Sequence, residues 1–257
     1  MEHNTGMYIT GDRGGRIEAF ENNRFLNELS EGTYLLITGD FSFIFSRKGE
    51  NMWEKMKLDI IKKKNYTTCF LDGNHENHHA LDLEAYPLEK WHGGMVHVIR
   101  KDLNGIPKIV HLIRGEIYEL NEKRIFVFGG AHSQDYQYRK AHYNWWPDRE
   151  LPNQEEMEYG MKKLKESKWQ IDFVLTHTMP ASLFRPEYRH YDDFEETELR
   201  EYLELIRKTC TFQRWYNGHI HLDADIDDRH TSLFDDIRNM ETNEIVGSMN
   251  VKEKSEF

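Results

Sequence analysis

The stretch Phe70-Leu71-Asp72-Gly73-Asn74-His75-Glu76 places an apolar segment directly before an amide, an imidazole and a carboxylate. The apolar residues predict a buried strand, and the glycine allows the backbone to turn sharply with positive φ as it leaves a sheet. In open α/β sheets, ligands bind in the crevice beyond the carboxyl ends of the strands. The polar side chains of this stretch therefore stand where a functional site is expected.

Four other apolar runs end in the same way, with a small residue followed by a carboxylate or a histidine. Their ends are Gly11-Asp12, Gly39-Asp40, Thr176-His177 and Gly218-His219-Ile220-His221. Strands that alternate with helices predict βαβ units and a largely parallel sheet, in which the carboxyl ends share one edge. Two carboxylates, one amide and three imidazoles are therefore expected to converge.

Hydrophobic periodicity predicts the remaining elements. Strands are expected at residues 7–10, 34–38, 67–71, 171–175 and 231–237, and helices at residues 16–30, 52–64, 154–168 and 194–209. Asn153 is the predicted N-cap of the third helix. The chain of 257 residues shows no repeat or linker. It predicts a single α/β domain over residues 1–249, followed by a charged, frayed tail at residues 250–257.

Composition narrows the class of protein. The net charge of −11 disfavours a nonspecific grip on nucleic acid, which needs clustered cations, but it allows a small phosphate ester at a metal site. Cys69 and Cys210 lie in apolar runs, which predicts buried reduced thiols and a cytoplasmic protein. Neither a basic leader with an apolar core nor an apolar run of about 18 residues occurs, so no membrane partner is expected. The sequence is silent on oligomeric state.

The chemistry of the expected cluster points to a transition metal. Mixed nitrogen and oxygen ligands suit Mn²⁺, Fe or Zn²⁺ better than Ca²⁺. Two ions about 3.5–4 Å apart, sharing a carboxylate, would clamp the attacking and leaving oxygens of a displacement. Residues i and i+2 of an extended segment face the same side, so His219 and His221 are predicted to serve different metals.

The five motifs together resemble the calcineurin-like metallophosphoesterases. The pieces at residues 11–12, 39–40, 73–76, 176–177 and 218–221 stand in the family's order and span most of the chain. Residues 129–135 and Trp145-Trp146 are similar to features of small bacterial and phage members. The resemblance implies a four-layer αββα sandwich of two mixed β-sheets.

The resemblance also implies roles for individual residues. Asp40 would bridge two divalent metals, and His75 would be the general acid or the donor to the phosphate in flight. The remaining metal ligands would be Asp12 and His221 on one ion, and Asn74, His177 and His219 on the other. The implied reaction is hydrolysis of a phosphomonoester or phosphodiester by metal-bound hydroxide, with nucleotides among the candidate substrates.

Two departures from the family pattern put the first metal in doubt. Gly14 stands where the first motif normally has a histidine, so the first site is weak, completed by another residue or empty. Phe43 replaces an aspartate that usually orients the histidine corresponding to His75, and loss of such a partner can weaken activity about 10–100-fold. Arg13 and Arg139 are the candidate phosphate contacts.

Several alternatives stay open. Asp12 and Asp40 could be helix caps, and His177 could be a core histidine. The chain could be a degenerate family member that binds a nucleotide or a protein without hydrolysis, or, less favoured by its charge, a nuclease. Metallo-β-lactamase-like and amidohydrolase motifs also contain His-x-His, but early in their chains. Asp72 replaces the arginine usual before Gly-Asn-His-Glu in Ser/Thr protein phosphatases, which disfavours that subclass. Trp145-Trp146, Tyr136 and Tyr138 either pack a loop or stack on a nucleobase.

Overall fold

The computed structural model describes residues 6–46, 50–81, 85–188 and 194–250. Within these residues the chain is an α/β protein with two mixed β-sheets and seven α-helices, which confirms the predicted class. The strands are β1 Met7–Thr10, β2 Tyr34–Ile37, β3 Thr67–Leu71, β4 Leu88–Trp91, β5 Gly94–Lys101, β6 Pro107–Leu112, β7 Ile117–Leu120, β8 Lys123–Phe128, β9 Phe173–Thr176, β10 Arg214–Asn217, β11 Ala224–Asp225, β12 His230–Ser232, β13 Asp236–Asn239 and β14 Ile245–Ser248. The helices are α1 Glu18–Glu21, α2 Arg24–Asn27, α3 Met52–Lys62, α4 His78–Leu81, α5 Tyr136–Ala141, α6 Gln154–Glu166 and α7 Thr197–Thr209. Short 3₁₀ turns cover Ala181–Leu183, Pro186–Tyr188 and Phe194–Glu196.

Each sheet has parallel strands at its centre and antiparallel strands at its edges. The first sheet has the order β14-β13-β1-β2-β3-β6-β5-β4, with β1, β2, β3 and β6 parallel. The second has the order β11-β12-β10-β9-β8-β7, with β12, β10, β9 and β8 parallel. Both sheets therefore present a row of strand carboxyl ends, the position where α/β sheets bind ligands.

Apolar side chains from both sheets form one common core. Ile9, Leu36 and Leu71 of the first sheet belong to the same buried cluster as Val127 and Leu175 of the second. The outer face of the first sheet packs in a second cluster with α1 to α3, and the outer face of the second sheet packs in a third with α6 and α7. This arrangement is compatible with a sandwich of two sheets.

The helix predicted over residues 16–30 is wrong as one element, because it divides into α1 and α2. Asn23 lies between them, and its side-chain oxygen accepts a hydrogen bond of 3.2 Å from the Leu26 backbone nitrogen. Its amide also donates to the Ser248 carbonyl at 2.8 Å. Asparagine favours helix caps over helix interiors because its side chain competes for backbone groups, so the second helix starts afresh here.

The single strand predicted over residues 231–237 is also wrong. It divides into β12, in the second sheet, and β13, in the first. At the break, the Asp223 carboxylate accepts hydrogen bonds of 2.7–3.0 Å from the backbone nitrogens of Phe234, Asp235 and Asp236. Backbone N–H groups that donate to this carboxylate are not available for hydrogen bonds between strands. Strand pairing is therefore interrupted here, and the chain crosses from the second sheet to the first.

Other predictions agree more closely with the structure. Helix α6 begins at Gln154, and Asn153 caps it in a reciprocal pair with Glu156. The last predicted helix begins at Thr197, after a 3₁₀ turn. Cys69 and Cys210 are buried and unpaired. Apart from Asn250, the predicted tail lies outside the described residues. In the part of the chain that is described, no helix has the length and apolar character needed to cross a bilayer.

Candidate metal centre

The predicted site residues follow strands that are neighbours in each sheet. Three of the strands, β1, β2 and β3, lie side by side in the first sheet, and two, β9 and β10, lie side by side in the second. The strands and the residues that follow them are β1 with Asp12, β2 with Asp40, β3 with Asn74 and His75, β9 with His177, and β10 with His219 and His221. In the structure these side chains lie close together.

Asp12, Asp40 and His177 form the inner group of the site. Each offers a donor atom, and these atoms all lie within 4.8 Å of one another. His177 Nε2 is 3.4 Å from Asp40 Oδ1, and His177 Nδ1 is 3.9 Å from Asp12 Oδ1. Neither aspartate caps a helix within the described residues: Asn51 caps α3, and α1 has Ile17 at its N-cap without a side-chain cap bond. The capping alternative therefore has no support.

The loop after β3 closes one side of the inner group. Asn74 Oδ1 is 3.1 Å from His177 Nε2, and the Asn74 side chain is buried. The backbone nitrogen of His75 donates to Asp40 Oδ1 at 2.8 Å. The amide predicted as a metal ligand is thus beside the inner group, while the His75 side chain remains 34% exposed at its edge.

The two histidines after β10 close the other side. His221 Nε2 is 3.1 Å from Asp12 Oδ2. The backbone nitrogen of His219 donates to the Asp12 carboxylate at 3.1 Å, and the His219 and His177 rings lie 4.9 Å apart. The predicted extended His-x-His segment is wrong, because both histidines have positive φ, +68° and +50°. A tight left-handed turn, and not strand alternation, brings the two imidazoles to the site.

Backbone strain occurs at this centre as well as at turns elsewhere in the described chain. Asp40 has a φ of +49°, so three of the six predicted metal ligands adopt a left-handed conformation that costs about 1–3 kcal/mol for a residue other than glycine. Ser42, two residues beyond Asp40, has a φ of +59°. Such strain persists only where the surrounding structure enforces it, and it is typical of functional sites.

The glycines of two motifs leave room for ligand atoms. A Cβ atom on Gly73 would overlap Asp40 Oδ1 and His177 Nε2, and one on Gly218 would overlap Asp12 Oδ1. These two positions accept no side chain because the carboxylate and imidazole atoms already occupy the space. Neither glycine has a positive φ, so the left-handed turn expected at Gly73 is wrong, and both glycines follow from the close packing of the centre.

The charges of the inner group are not balanced by permanent cations. Among the described residues, neither Asp12 nor Asp40 forms an ion pair with a lysine or an arginine; their partners are His177 and His221. Burial alone would lower the pKa of His177, but Asp40 and Asp12 outweigh burial and raise it to about 10. A proton on His177 thus supplies positive charge that the carboxylates require.

These residues fit a divalent metal. His177 Nδ1 is 2.7 Å from the Thr38 carbonyl, which fixes this nitrogen as a donor and points Nε2 at Asn74 and Asp40. His219 Nε2 is buried and lies 3.6 Å from the Glu196 carboxylate, which would leave Nδ1 as the ring nitrogen that holds a cation. A set of carboxylate, amide and imidazole donors suits Mn²⁺, Fe or Zn²⁺.

The side chain of Arg13 is not positioned to contact a phosphate, contrary to the prediction. Its side chain is fully buried, and its guanidinium donates to the carbonyls of Gly11 (2.9 Å) and Phe234 and pairs with Asp235 at 3.4 Å. These bonds tie the loop after β1 to the segment between β12 and β13. The prediction that Arg13 meets substrate therefore finds no support in its position.

Arg139 is also engaged inside the protein. It is 1% exposed and donates to Ser133 Oγ and to the Asn144 carbonyl, the latter at 2.9 Å. Its guanidinium is 3.6 Å from Glu150 Oε2 and lies 6.0 Å from the Trp146 ring centre. Arg139 organises the aromatic segment after β8 and does not line the cavities beside the candidate centre.

The aromatic segment divides between packing and exposure. Trp146 is buried and packs edge-on against Phe45, with ring centres 5.7 Å apart. The Trp145 indole donates to Glu150 Oε2 at 3.1 Å. Tyr136 and Tyr138 are 38% and 65% exposed. The two tryptophans thus pack the loop, and the tyrosines alone remain available to a ligand.

The two departures from the expected pattern have clear structural consequences. A Cβ on Gly14 would meet nothing within 4 Å, so open space lies where an imidazole was expected. Phe43 is buried against Phe20, with ring centres 5.6 Å apart, and cannot orient His75. A different carboxylate, Asp135, lies 3.7 Å from His75 Nε2.

Sequence reasoning missed Glu196. Its side chain is fully buried, and Oε2 is 3.6 Å from His219 Nε2. Burial would raise its pKa, but His219 and Arg200 lower it to about 2, so it is ionised. No spacing relative to the five motifs signals this residue, because it reaches the site from the 3₁₀ turn before α7.

Sequence reasoning also missed Arg16, Phe45 and Phe234, which line a cavity at the site. This cavity of about 370 Å³ lies beside Asp12 and Asp40 and is open at Gly14. Its other walls include Arg16, Phe45, His75, His221 and Phe234. A second cavity of about 260 Å³ shares Asp40, His75 and His221 with it. The sequence did place Arg16 close to Asp12, which could have suggested that it lines the site. The same argument applied equally to Arg13.

No protein-family model matches this chain, and a comparison with curated proteins also gives no match.

Proposed function

We propose that this protein is a metal-dependent phosphoesterase of the calcineurin-like type, with a four-layer sandwich fold and a centre formed by five strand ends. The fold proposal draws on the two mixed sheets, the apolar core they share and the helices packed on both outer faces. The activity proposal draws on the site.

One observation carries the activity. Two buried carboxylates meet at a cavity with imidazole partners and, among the described residues, without an arginine or lysine ion pair. Buried charges are costly unless they are paired or coordinate metals. A cation that binds here would offset the carboxylates and attract a phosphate ester into the cavity.

The donor atoms would divide around Asp40. Asp12 and His221, joined by a 3.1 Å contact, would hold one cation, and Asn74, His177 and His219 the other. Bound divalent cations lower the pKa of coordinated water and neutralise charge on phosphoryl oxygens. The left-handed turns at Asp40 and His219 hold these side chains in place before any ligand arrives.

His75 would act on the substrate directly. Its backbone is anchored to Asp40, while its ring lines both cavities and lies nearly parallel to the Phe45 ring. Nε2 would donate a hydrogen bond or a proton to a phosphoryl or leaving-group oxygen. Asp135, 3.7 Å from this nitrogen, would orient the ring.

Arg16 replaces Arg13 as the proposed phosphate contact. Its side chain is 46% exposed, lines the larger cavity and pairs with Asp235 at 3.3 Å. Phe234 and Phe45 in the same wall favour an ester with a planar group, which includes nucleotides. The net charge of −11 disfavours long nucleic acids as substrates.

Hydrolysis of nitrophenyl phosphate monoesters and diesters tests the activity. Purified protein stripped with a chelator should be inactive and should regain turnover with Mn²⁺. Comparison of the monoester with the diester assigns the substrate class. Absence of turnover with Mn²⁺, Zn²⁺ and Fe²⁺ would contradict the proposal.

A second candidate is a binding module that has lost hydrolysis. The open space at Gly14 and the burial of Phe43 favour it, because each removes a group that the resemblance implies for catalysis. The metal content separates the two candidates. Two tightly held ions with turnover support the enzyme, whereas one ion or none, with nucleotide binding but no turnover, supports the binding module.

A further inference from the structure

A second group of histidines lies apart from the candidate centre. His78, His97 and His111 line a cavity of about 180 Å³ together with Asp72 and Arg114. This cavity shares no lining residue with the two cavities at the candidate centre. The proposed phosphoesterase uses none of the three histidines, so their convergence calls for a separate explanation.

His97 and His111 stand directly opposite each other on the antiparallel pair β5 and β6. Their Nδ1 atoms are 3.3 Å apart. Two nitrogens bound to one tetrahedral zinc at 2.0–2.1 Å lie about 3.3–3.4 Å apart, so the observed separation matches a shared metal.

Asp72 fixes the chemical form of His111. Its carboxylate accepts hydrogen bonds from Arg114 at 2.8 and 2.6 Å. It also lies 3.3 Å from His111 Nε2, which donates to it in the tautomer that carries its proton on this nitrogen. In that tautomer the lone pair of His111 is on Nδ1, the atom that faces His97. A carboxylate behind a ligating histidine is the usual second partner in zinc sites.

His78 also lines this cavity. It is buried, its Nδ1 lies 3.9 Å from Asp72, and its Nε2 has no hydrogen-bond partner in the described part of the chain. Nearby, the Arg114 charge is offset by Asp72 and Glu156.

We propose that His97 and His111 chelate a borderline transition metal such as Zn²⁺ through their Nδ1 atoms, with Asp72 orienting His111. Imidazole pairs prefer Zn²⁺ to Mn²⁺, which separates this site from one that takes Mn²⁺. Asp72 and His78 flank the loop that carries Asn74 and His75, so the metal would brace that loop against β5 and β6. The proposal does not depend on phosphoesterase activity.

Zinc content after equilibrium dialysis tests the site in the full-length protein. His97→Gln should lose one zinc per chain relative to the wild type. His79→Gln is the matched control, since His79 is an exposed histidine next to His78 in α4, 3.0 Å from Asp148. The loss should be the same in an Asp40→Asn background, where the candidate centre is impaired. If the candidate centre binds no metal, Asp40→Asn will not change the metal content. His97→Gln would still lose its zinc in that case.

Equal zinc content in the His97→Gln and His79→Gln proteins would overturn the proposal. Circular dichroism of both variants in chelator verifies that they are folded. Anomalous diffraction from wild-type crystals soaked in Zn²⁺ gives an answer independent of any variant. We expect a peak about 2.0–2.1 Å from both Nδ1 atoms, and zinc found only elsewhere would count against the site.

Discussion

Asp40 and Asp72 occupy similar positions in the same sheet and yet have different surroundings. Each is a buried carboxylate just beyond a parallel strand, and each lies within 3.5 Å of a histidine, Asp40 near His177 and Asp72 near His111. Asp72 also receives two hydrogen bonds from Arg114, at 2.8 and 2.6 Å. Asp40 forms no ion pair with an arginine or lysine among the described residues.

The two carboxylates differ in how their buried charge is balanced. Arg114 supplies Asp72 with a permanent positive charge. Among the described residues, the ion-pair partners of Asp12 and Asp40 are histidines, and the pKa of His177 is raised to about 10. Asp72 therefore belongs to a framework that supports the loop after β3, whereas Asp12 and Asp40 would gain a permanent counter-charge from a bound metal.

Asp40→Asn should have the largest effect, because it removes the charge that the proposed cations share. We expect loss of phosphoesterase activity by about 1,000-fold or more. Mn²⁺ at about 100 times its Kd should stabilise the wild type by about 2.7 kcal/mol and raise its Tm, and the variant should show little of this rise. Asp148→Asn, at an exposed carboxylate, is the control. A variant with wild-type turnover would show that Asp40 holds no essential cation.

Arg114→Met tests the other side of the comparison. It leaves Asp72 buried without its cation, which should lower the free energy of unfolding by about 3–5 kcal/mol in urea denaturation. Asp72→Asn in the same chain should recover part of this loss because it removes the uncompensated charge. A loss below about 1 kcal/mol in the single variant would contradict the framework role.

The same ion pair predicts a pH dependence. Arg114 and His111 hold the pKa of Asp72 below its ordinary range, against the effect of burial. A depressed carboxyl pKa stabilises the folded state fully above the unfolded pKa of about 3.9, and this contribution is lost as pH falls toward the folded pKa. The stability difference between the wild type and Arg114→Met should therefore shrink in strong acid, as measured by urea denaturation across pH. A difference that grows in acid would contradict this sign.

Glu196→Gln should have an intermediate effect. Glu196 Oε2 lies 3.6 Å from His219 Nε2, so its charge would orient that imidazole toward a metal on the opposite nitrogen. We expect Mn²⁺ affinity, measured by calorimetry, to fall about 10–100-fold while the fold is kept. Glu195→Gln, at an exposed neighbour, should leave the affinity unchanged.

Gly14→His should have the smallest effect, and in the opposite direction. The new ring would enter open space in the cavity beside Asp12, at a backbone φ of +55° that costs about 1–3 kcal/mol in stability. Gly105→His is a matched control, since Gly105 also has positive φ and open space around it. Tighter Mn²⁺ binding in the first variant alone would show that the natural first site lacks a ligand. Equal Mn²⁺ affinity in the two variants would show that the missing side chain at Gly14 does not weaken the first site.

The sequence predicted the elements whose signals are local. Apolar runs that end in Gly-Asp or Gly-Asn-His placed β1, β2 and β3 and the polar residues beyond them. The division at Asn23 was visible in principle, since asparagine favours caps. The division of residues 231–237 was not, because it depends on Asp223, a residue eight or more positions earlier that accepts three backbone donors.

The sequence also failed to predict some positions at the site, because these positions depend on partners that are distant in the chain. Side chains that follow strands could be assigned to the centre because strand ends meet at one edge. The destinations of Arg13 and Arg139 depend on partners that become neighbours only in the fold: Phe234 and Asp235 for one, Ser133 and Asn144 for the other. Glu196 is found at the centre for the same reason. Long-range pairing of buried charge is the part of the structure that local sequence patterns do not encode.

Anomalous diffraction at the manganese edge, from crystals grown with Mn²⁺, would locate the proposed cations at Asp40. We expect manganese within coordination distance, about 2.0–2.3 Å, of the Asp40 carboxylate and of His177 Nε2, and a second ion that shares Asp40 and contacts Asp12 and His221. A map without manganese at Asp40, from crystals in which His177 still pairs with both carboxylates, would contradict it.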